Sequence, residues 1–185
     1  MEYTIVQRDP QAFQQPVPFE HMQAMCQRAF GQGTPIDSVR ELAGGQFNNT
    51  YLIELADRGP MILRVAPAPE RCIFWHERFL MRRELAMQPF LAPIAPLLPT
   101  IIMTDFTHQI IERDYMFQSW MPGAVWSEVH KALTSEEHDD LWRQFGQLVK
   151  AISSVQGEAF GLVRYGAQVS HVEPHADRVA GKHDL

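Results

Sequence analysis

The sequence has few cysteines and no long apolar run. Its 185 residues include two cysteines, Cys26 and Cys72, which are too few for a disulfide framework and are not spaced as a metal-binding pair. No stretch approaches the roughly 18 apolar residues that a membrane helix needs. The first residues, MEYTIVQRDPQAF, lack the basic start and apolar core of a signal peptide. We therefore expect a cytoplasmic protein with two free thiols and no membrane partner.

An excess of positive charge is also missing. The chain carries 16 lysines and arginines against 22 aspartates and glutamates, a net charge of −6. That balance argues against nucleic acid as a partner, although local groups can still hold a small anion. A hydrophobic share of 45% and a charged share of 21% are typical of a globular protein with a buried core. The length suits one domain, or one domain and part of another.

Apolar periodicity predicts an α+β fold. Spacings of three and four predict helices, and alternation bounded by glycine or proline predicts strands. The predicted helices cover residues 19–30, 70–88 and 124–132, and a long one runs from a capping box at Thr134 and Glu137 to Gly157. The predicted strands cover residues 36–42, 50–55, 61–65, 100–103 and 114–120. Residues 1–18 are expected to be irregular, and the chain from Gly161 onward is polar and without a period.

The stretch AGGQFNNTYLIEL, residues 43–55, places Gly44, Gly45 and Asn48 directly before a predicted strand. Glycines at such a junction let the backbone approach a ligand closely and direct N–H groups toward it. Asn48 could fix the loop through side-chain bonds to the backbone. An ordinary hairpin turn has the same composition, because glycine and asparagine are common turn residues. No G-K-[ST] follows, so the loop is not a Walker motif.

Arg64 is a charged residue in the middle of an apolar strand, MILRVAP. A charge that is buried at such a position needs a partner. The predicted helix that follows offers Glu77 and Glu84, which are seven residues apart and so lie on nearly the same face. Arg64 paired with either glutamate could hold the phosphates of a nucleotide, as a strand cation and a helix glutamate do in kinases. The alternative is an arginine on an edge strand that faces solvent.

Taken together, these stretches resemble the aminoglycoside phosphotransferase and choline kinase family, the small-molecule branch of the protein-kinase-like fold. The resemblance covers about residues 36–162 and rests on the order and spacing of the stretches. The matching stretches are GGQFNNTYLIEL, MILRVAP, RFLMRRELAMQPFL, YMFQSWMPGAVW and FGQLVKAISSVQGEAFG.

The resemblance implies a division of the chain into two lobes. Residues 1–122 would form a kinase-like N-terminal nucleotide-binding lobe, a five-stranded antiparallel sheet plus a helix, with residues 1–35 as an N-terminal extension and helix. Residues 123–185 would form the first helices of an incomplete, apparently truncated C-terminal lobe.

The resemblance also implies how the phosphates of ATP would be held. Gly44, Gly45 and Asn48 would form the phosphate loop. Arg64 would take the place of the family's strand lysine or arginine, and Glu84 that of its helix partner.

The adenine would lie beside the hinge between the lobes. The backbone carbonyl of Ser119 and the N–H of Met121 would face its edge, and Gln118 would stand at the back of the purine pocket. Whichever of Ile53 and Val65 faces inward would help to cover the ring, although apolar strand positions are more often core.

The family's catalytic groups lie further along the chain. A catalytic aspartate belongs to an H-G-D-x-x-x-x-N motif, and a later aspartate binds Mg²⁺. His175 and Asp177 fit part of that motif, but Lys182 stands where asparagine is expected. Asp177 is therefore a weak candidate for the catalytic base. The tail residues His171, Glu173, His175, His183 and Asp184 match no metal-ligand spacing, and a solvated tail without a metal site is expected.

The leading hypothesis is an ATP-dependent phosphotransferase that acts on a small-molecule hydroxyl and uses Mg²⁺, whose ligands are not found in these 185 residues. We expect weak nucleotide binding and negligible turnover from this polypeptide. The alternatives are a non-catalytic, pseudokinase-like binding module and a plain α+β domain that binds no nucleotide. The acceptor stays open among aminoglycosides, choline-like alcohols and sugars.

The predicted long helix carries one apolar stripe. If nothing covers this stripe, we expect self-association or aggregation through it. Its members are Leu141, Phe145, Leu148, Ile152 and Val155.

Overall fold

The computed structural model describes residues 2–10, 12–43, 45–71, 74, 77–157, 161–163 and 169–171. The chain forms two compact units, residues 1–81 with 95–133 and residues 82–94 with 134–185. The predicted boundary after residue 122 falls inside the first unit. The assignment of residues 1–122 and 123–185 as two lobes stays a prediction.

Four α-helices and eight strands are present among the described residues. The helices are α1 (Phe19–Phe30), α2 (Leu80–Met87), α3 (Trp126–Val129) and α4 (Ser135–Ser153), with 3₁₀ turns at Pro69–Arg71, Gln88–Leu97 and His130–Ala132. The strands are β1 (Glu2–Thr4), β2 (Ile36–Glu41), β3 (Asn49–Leu55), β4 (Gly59–Val65), β5 (Ile101–Asp105), β6 (Tyr115–Ser119), β7 (Gly161–Val163) and β8 (Val169–His171). None of the described helices is both long and apolar enough to cross a membrane.

The first unit contains a six-stranded sheet in the order β1-β2-β3-β4-β6-β5. The pairs from β2 to β6 are all antiparallel, which confirms the α+β class and the five predicted strands. The sixth strand, β1, pairs in parallel with β2, and Glu2 lies opposite Ser38. The prediction of an irregular segment over residues 1–18 is therefore wrong at β1, because three residues are too few to show an alternating pattern.

One face of the sheet packs against α1 and forms the core. Met22, Met25 and Cys26 of α1 are fully buried there, together with alternate residues of β3 and β4. Burying a side chain of this size stabilises the folded state by about 1.5–3 kcal/mol relative to leaving it exposed. Burial also raises the pKa of Cys26 to about 12, so this thiol is a poor nucleophile at neutral pH. The helix ends at Gly31, whose φ of 104° suits glycine.

The predicted start of the helix over residues 70–88 is wrong. The chain makes a 3₁₀ turn at Pro69–Arg71, and α2 begins only at Leu80. Phe79, directly before it, has a φ of 61°. A residue in the left-handed region cannot belong to a right-handed helix, so α2 begins after it.

In the second unit, α4 begins at the predicted capping box. Thr134 Oγ1 accepts a hydrogen bond from the N–H of Glu137, and the Glu137 carboxylate accepts one from the N–H of Thr134 at 2.8 Å. These two bonds confirm the predicted start of the helix. β7 and β8 form an antiparallel pair, although the sequence from Gly161 onward shows no period that would predict these strands.

The apolar side chains of α4 are largely exposed. Leu148 is half-buried. The large apolar residues of α4 that are more than a third exposed are Leu141, Trp142, Phe145, Val149 and Ile152.

Candidate nucleotide-binding site

Arg64 lies on the face of the sheet opposite α1. Its neighbours Leu63 and Val65 belong to the core on the α1 side, so strand alternation places Arg64 and Ile62 on the other side. Arg64 is half-buried, and its Nη1 donates to Oε1 of Gln118 at 3.4 Å. β4 lies between β3 and β6. The alternative of an arginine on an edge strand is therefore wrong.

An apolar pair lies beside Arg64 on this face. Leu52 of β3 stands directly opposite Ile62, and Ile62 stands opposite Gln118 of β6. Leu52 is 8% exposed and Ile62 is 7% exposed, so each keeps a small accessible surface. Two apolar side chains next to a side-chain amide are the groups that a purine-binding pocket requires: the apolar groups contact the face of the ring, and the amide bonds its edge. The sequence interpretation missed both residues, although counting two positions back from Arg64 along the strand leads to Ile62.

Ile53 and Val65 lie on the wrong side of the sheet to cover an adenine beside Arg64. Both are 0% exposed and pack in the α1-side core. The expectation that one of them would cover the ring is wrong. Each is the direct chain neighbour of a residue on the Arg64 face, and neighbouring side chains of a strand point to opposite faces of the sheet.

The glycine loop, residues 43–48, connects β2 to β3. A hydrogen bond of 2.8 Å from the N–H of Leu42 to the carbonyl of Thr50 closes its base. Gly45 is exposed and does not have a left-handed φ, and a Cβ placed on it would lie 3.4 Å from the carbonyl oxygen of Asn48. The backbone conformation at Gly45 therefore does not itself require glycine. Gly44 lies outside the described residues.

The glycine loop is held by a segment more than 30 residues upstream. The side-chain amide of Gln14 donates to the carbonyl of Gly45 at 2.9 Å and to the carbonyl of Asn48 at 2.7 Å. The rings of Phe13 and Phe47 pack with their centroids 5.4 Å apart. Asn48 is thus held through its backbone, whereas its side chain was expected to fix the loop. No local sequence signal marks Gln14, since it lies in a polar, proline-containing stretch.

A buried polar network fixes the start of β3 after the loop. Asn49, 1% exposed, donates from Nδ2 to Oε1 of Glu41 at 2.8 Å and accepts at Oδ1 from Nη2 of Arg113 at 2.7 Å. Arg8 donates to the same Glu41 oxygen at 2.6 Å. Burial lowers the pKa of Arg113 to about 10, so the guanidinium is still charged at neutral pH. Glu41 pairs its charge with Arg8, and the Arg113 guanidinium donates to neutral oxygens, those of Asn49 and of the Gln15 and Ala66 carbonyls.

The segment after β6 carries the predicted hinge. The N–H of Ser119 donates to the carbonyl of Thr100 at 2.9 Å, and the N–H of Thr100 donates to Ser119 Oγ at 2.9 Å. Met121 is 47% exposed, and Gly123 has a φ of 147°. Contacts of adenine with the Ser119 carbonyl and the Met121 N–H, and the place of Gln118 behind the purine, stay predictions.

Comparison with known proteins decides the family. Residues 38–184 match the model of the phosphotransferase enzyme family. The chain belongs to that family. The resemblance named from its sequence stretches is thereby confirmed.

One solved structure similar to this phosphotransferase-family chain comes from Ralstonia eutropha JMP134, a protein provisionally assigned as an aminoglycoside phosphotransferase. The two sequences are 18% identical, and the match covers 58% of this chain and 29% of that one, with a TM-score of 0.42. No curated protein matches the sequence.

The two glutamates considered as partners of Arg64 differ in their surroundings. Glu77 accepts a hydrogen bond from the N–H of Phe74 at 3.0 Å and lines a small, open surface pocket together with Phe47 of the glycine loop. Glu84 lies in α2, in the second unit, whereas Arg64 lies in the first. The Arg64–Glu84 pair that the family implies stays a prediction.

The weak catalytic candidate Asp177 lies outside the described residues, as do Glu173, His175, His183 and Asp184 of the tail. Among the described residues, no group of three or more histidines, cysteines, aspartates or glutamates is arranged to hold a metal ion.

Proposed function

We propose that this phosphotransferase-family chain binds ATP on the Arg64 face of its six-stranded sheet, as part of a kinase that phosphorylates a small-molecule hydroxyl. The observation that carries the proposal is the position of Arg64. It is a half-buried cation on a central strand, beside two apolar side chains and next to the strand that leads into the predicted hinge.

The residues present fit the two halves of a nucleotide. Leu52 and Ile62 offer an apolar surface for one face of the purine. Arg64 offers a guanidinium for the phosphates, and such charge-assisted hydrogen bonds contribute about 1.5–3 kcal/mol each. The distance between the two groups is short along the sheet, because Ile62 and Arg64 are two residues apart on one strand.

Gly45 and Asn48 complete the proposed phosphate contacts through backbone N–H groups of the glycine loop. Gly44 is proposed to act with them. Mg²⁺ would accompany the triphosphate and neutralise part of its charge. None of the described residues is assigned to that ion.

Ligand binding by the purified chain tests the proposal. Isothermal titration calorimetry with Mg-ATP and with adenosine would give the dissociation constants of the unaltered chain and of an Arg64→Ala variant. We expect Arg64→Ala to weaken ATP binding about tenfold or more and to leave adenosine binding nearly unchanged, because adenosine carries no phosphate. Arg64→Lys keeps the charge and should retain most of the affinity.

Arg58→Ala serves as the charge-matched control. Arg58 lies in the turn between β3 and β4, and its guanidinium contacts the ring of Phe30. Its removal takes the same charge from the chain without touching the Arg64 face. Equal ATP affinity in Arg64→Ala and Arg58→Ala would contradict the proposal.

A further inference from the structure

Gln14 occupies an unusual position for a residue of an N-terminal segment. Its side chain is half-buried, and both of its hydrogen bonds go to carbonyls of the glycine loop, at Gly45 and Asn48. A side-chain amide has two N–H donors, so this pair of bonds uses its full donor capacity. Phe13 packs on Phe47 beside it. The loop therefore has polar and apolar contacts with the same two upstream residues.

The segment that carries Gln14 is itself anchored. It spans residues 12–17 and is hydrogen-bonded to three other parts of the first unit, which fix the position of Gln14. The anchoring hydrogen bonds run from Arg71 Nη1 to the carbonyl of Ala12 at 2.9 Å, from Arg113 Nη1 to the carbonyl of Gln15 at 2.9 Å, and from the N–H of Val17 to Tyr51 Oη at 3.0 Å.

The bond from Gln14 to the Gly45 carbonyl also sets the direction of one neighbouring N–H group, that of Gln46. The peptide bond between Gly45 and Gln46 is trans and planar, so the carbonyl of Gly45 and the N–H of Gln46 point in opposite directions. Because the carbonyl points at Gln14, the N–H of Gln46 points away from the N-terminal segment. Peptide N–H groups that are oriented alike are what a backbone anion site requires.

We propose that Gln14 is a positioning residue for the nucleotide phosphates: its amide holds the carbonyls of Gly45 and Asn48 so that the glycine loop presents its N–H groups to the anion. This inference rests on the proposed nucleotide site. Gln14 itself does not touch the ligand. Its effect is to remove the cost of ordering the loop when ATP binds.

The test compares Gln14→Ala with Gln15→Ala. Gln15 is a matched control, since its amide also donates to two carbonyls, of Pro10 and Ala12, but both lie within five residues of Gln15 and outside the glycine loop. We expect Gln14→Ala to weaken Mg-ATP binding about fivefold to tenfold and to leave adenosine binding and the melting temperature nearly unchanged. Mg-ATP should slow deuterium exchange at the N–H of Gln46 in the unaltered chain and should slow it less in Gln14→Ala. Gln15→Ala should leave the ratio of the ATP and adenosine dissociation constants at its original value.

The outcomes separate this inference from the proposed function. If the unaltered chain binds ATP and Gln14→Ala binds it equally well, the role of Gln14 is refuted while the nucleotide site stands. If Gln14→Ala weakens ATP and adenosine by the same factor, Gln14 has only a structural role and the inference is also refuted. If the unaltered chain binds neither ligand, both proposals fail. Selective loss of ATP affinity in Gln14→Ala alone supports the positioning role.

Discussion

Arg113 and Asn49 are 64 residues apart in the chain, yet the guanidinium of the first donates to the side-chain oxygen of the second at 2.7 Å. Both are more than nine-tenths buried. The same guanidinium also donates to the carbonyls of Gln15 and Ala66. One buried cation thus connects the N-terminal segment, the start of β3 and the end of β4, and these are the elements that surround the glycine loop.

Replacing Arg113 by methionine should therefore be strongly destabilising. The substitution leaves the Asn49 oxygen and two backbone carbonyls buried without their donor, and we expect a loss of about 3 kcal/mol or more in the free energy of unfolding. Urea denaturation followed by circular dichroism measures it. The control is Arg143→Met. Arg143 is exposed and, among the described residues, forms its ion pair with Asp140 on the helix surface, so the variant should lose no more than about 0.5 kcal/mol in the free energy of unfolding. A loss below that of the control would contradict the role of Arg113.

Asp105 should make stability depend on pH in the acid range. Burial raises the pKa of its carboxyl, but hydrogen bonds from Thr107 and Tyr115 and the charge of Arg28 outweigh burial and lower the pKa below its ordinary value of 3.8. Because the folded pKa is lower than the unfolded one, the ionised carboxylate stabilises the fold above about pH 4, and this contribution is lost as the pH falls through the folded pKa.

An Asp105→Asn variant measures that contribution. The difference in unfolding free energy between the unaltered chain and the variant should be largest near neutral pH and should shrink below about pH 4. Asp57→Asn, in the exposed turn between β3 and β4, is the control and should give a smaller difference. A difference for Asp105→Asn that grows on acidification would have the wrong sign.

Gly45→Ala should lower the affinity for ATP without lowering the stability of the fold. The added methyl would lie 3.4 Å from the Asn48 carbonyl, and Gly45 has no left-handed φ, so the melting temperature should change little. The methyl would also lie 3.9 Å from Nε2 of Gln14, among the contacts that hold the loop, and a small shift of the loop there should lower ATP affinity about tenfold. Gly146→Ala in α4 is the control, since nothing lies within 4 Å of its added Cβ. It should stabilise the chain by about 0.5–1 kcal/mol and leave ATP affinity unchanged.

Ile62→Ala should weaken the binding of ATP and of adenosine by similar factors, because the lost contact is with the base. We expect about threefold to tenfold for each ligand, as for the loss of part of an apolar contact. Ile53→Ala is the control. Ile53 follows Leu52 on β3, so its side chain points to the opposite face of the sheet and packs in the core on the α1 side. Both variants lose stability, so titrations are run well below the melting temperature of each. Weaker binding in Ile53→Ala than in Ile62→Ala would reverse the assignment of the two faces.

The exposed apolar face of α4 should make the chain self-associate. Trp142 and Phe145 are 54% and 53% exposed, and apolar surface of this kind favours association. Size-exclusion chromatography with light scattering should show oligomers whose share falls in a Phe145→Glu variant. Gln144→Glu, on the same helix, adds the same charge at a polar position and should not change the distribution. A monomeric unaltered chain at high concentration would contradict this expectation.

Local sequence patterns were sufficient for most of the elements and for the family. Alternation between Thr50 and Leu55 and between Met61 and Val65 predicted two central strands, and the capping box at Thr134 predicted the start of α4. These signals are local, because a strand or a helix start depends on residues within a few positions of each other. The family resemblance followed from the order of such stretches. The start of α2 was not predictable in this way, since it depends on the left-handed φ of Phe79.

Only the tertiary structure decided which residues that are distant in the sequence contact each other. The sequence places Arg64 on an apolar strand, but only the pairing of β4 between β3 and β6 shows that Leu52 and Ile62 share its face while Ile53 and Val65 do not. In the same way, Gln14 meets the glycine loop because the N-terminal segment crosses it. The physical reason is that contacts between distant residues depend on strand register and chain crossings, which no short stretch of sequence encodes.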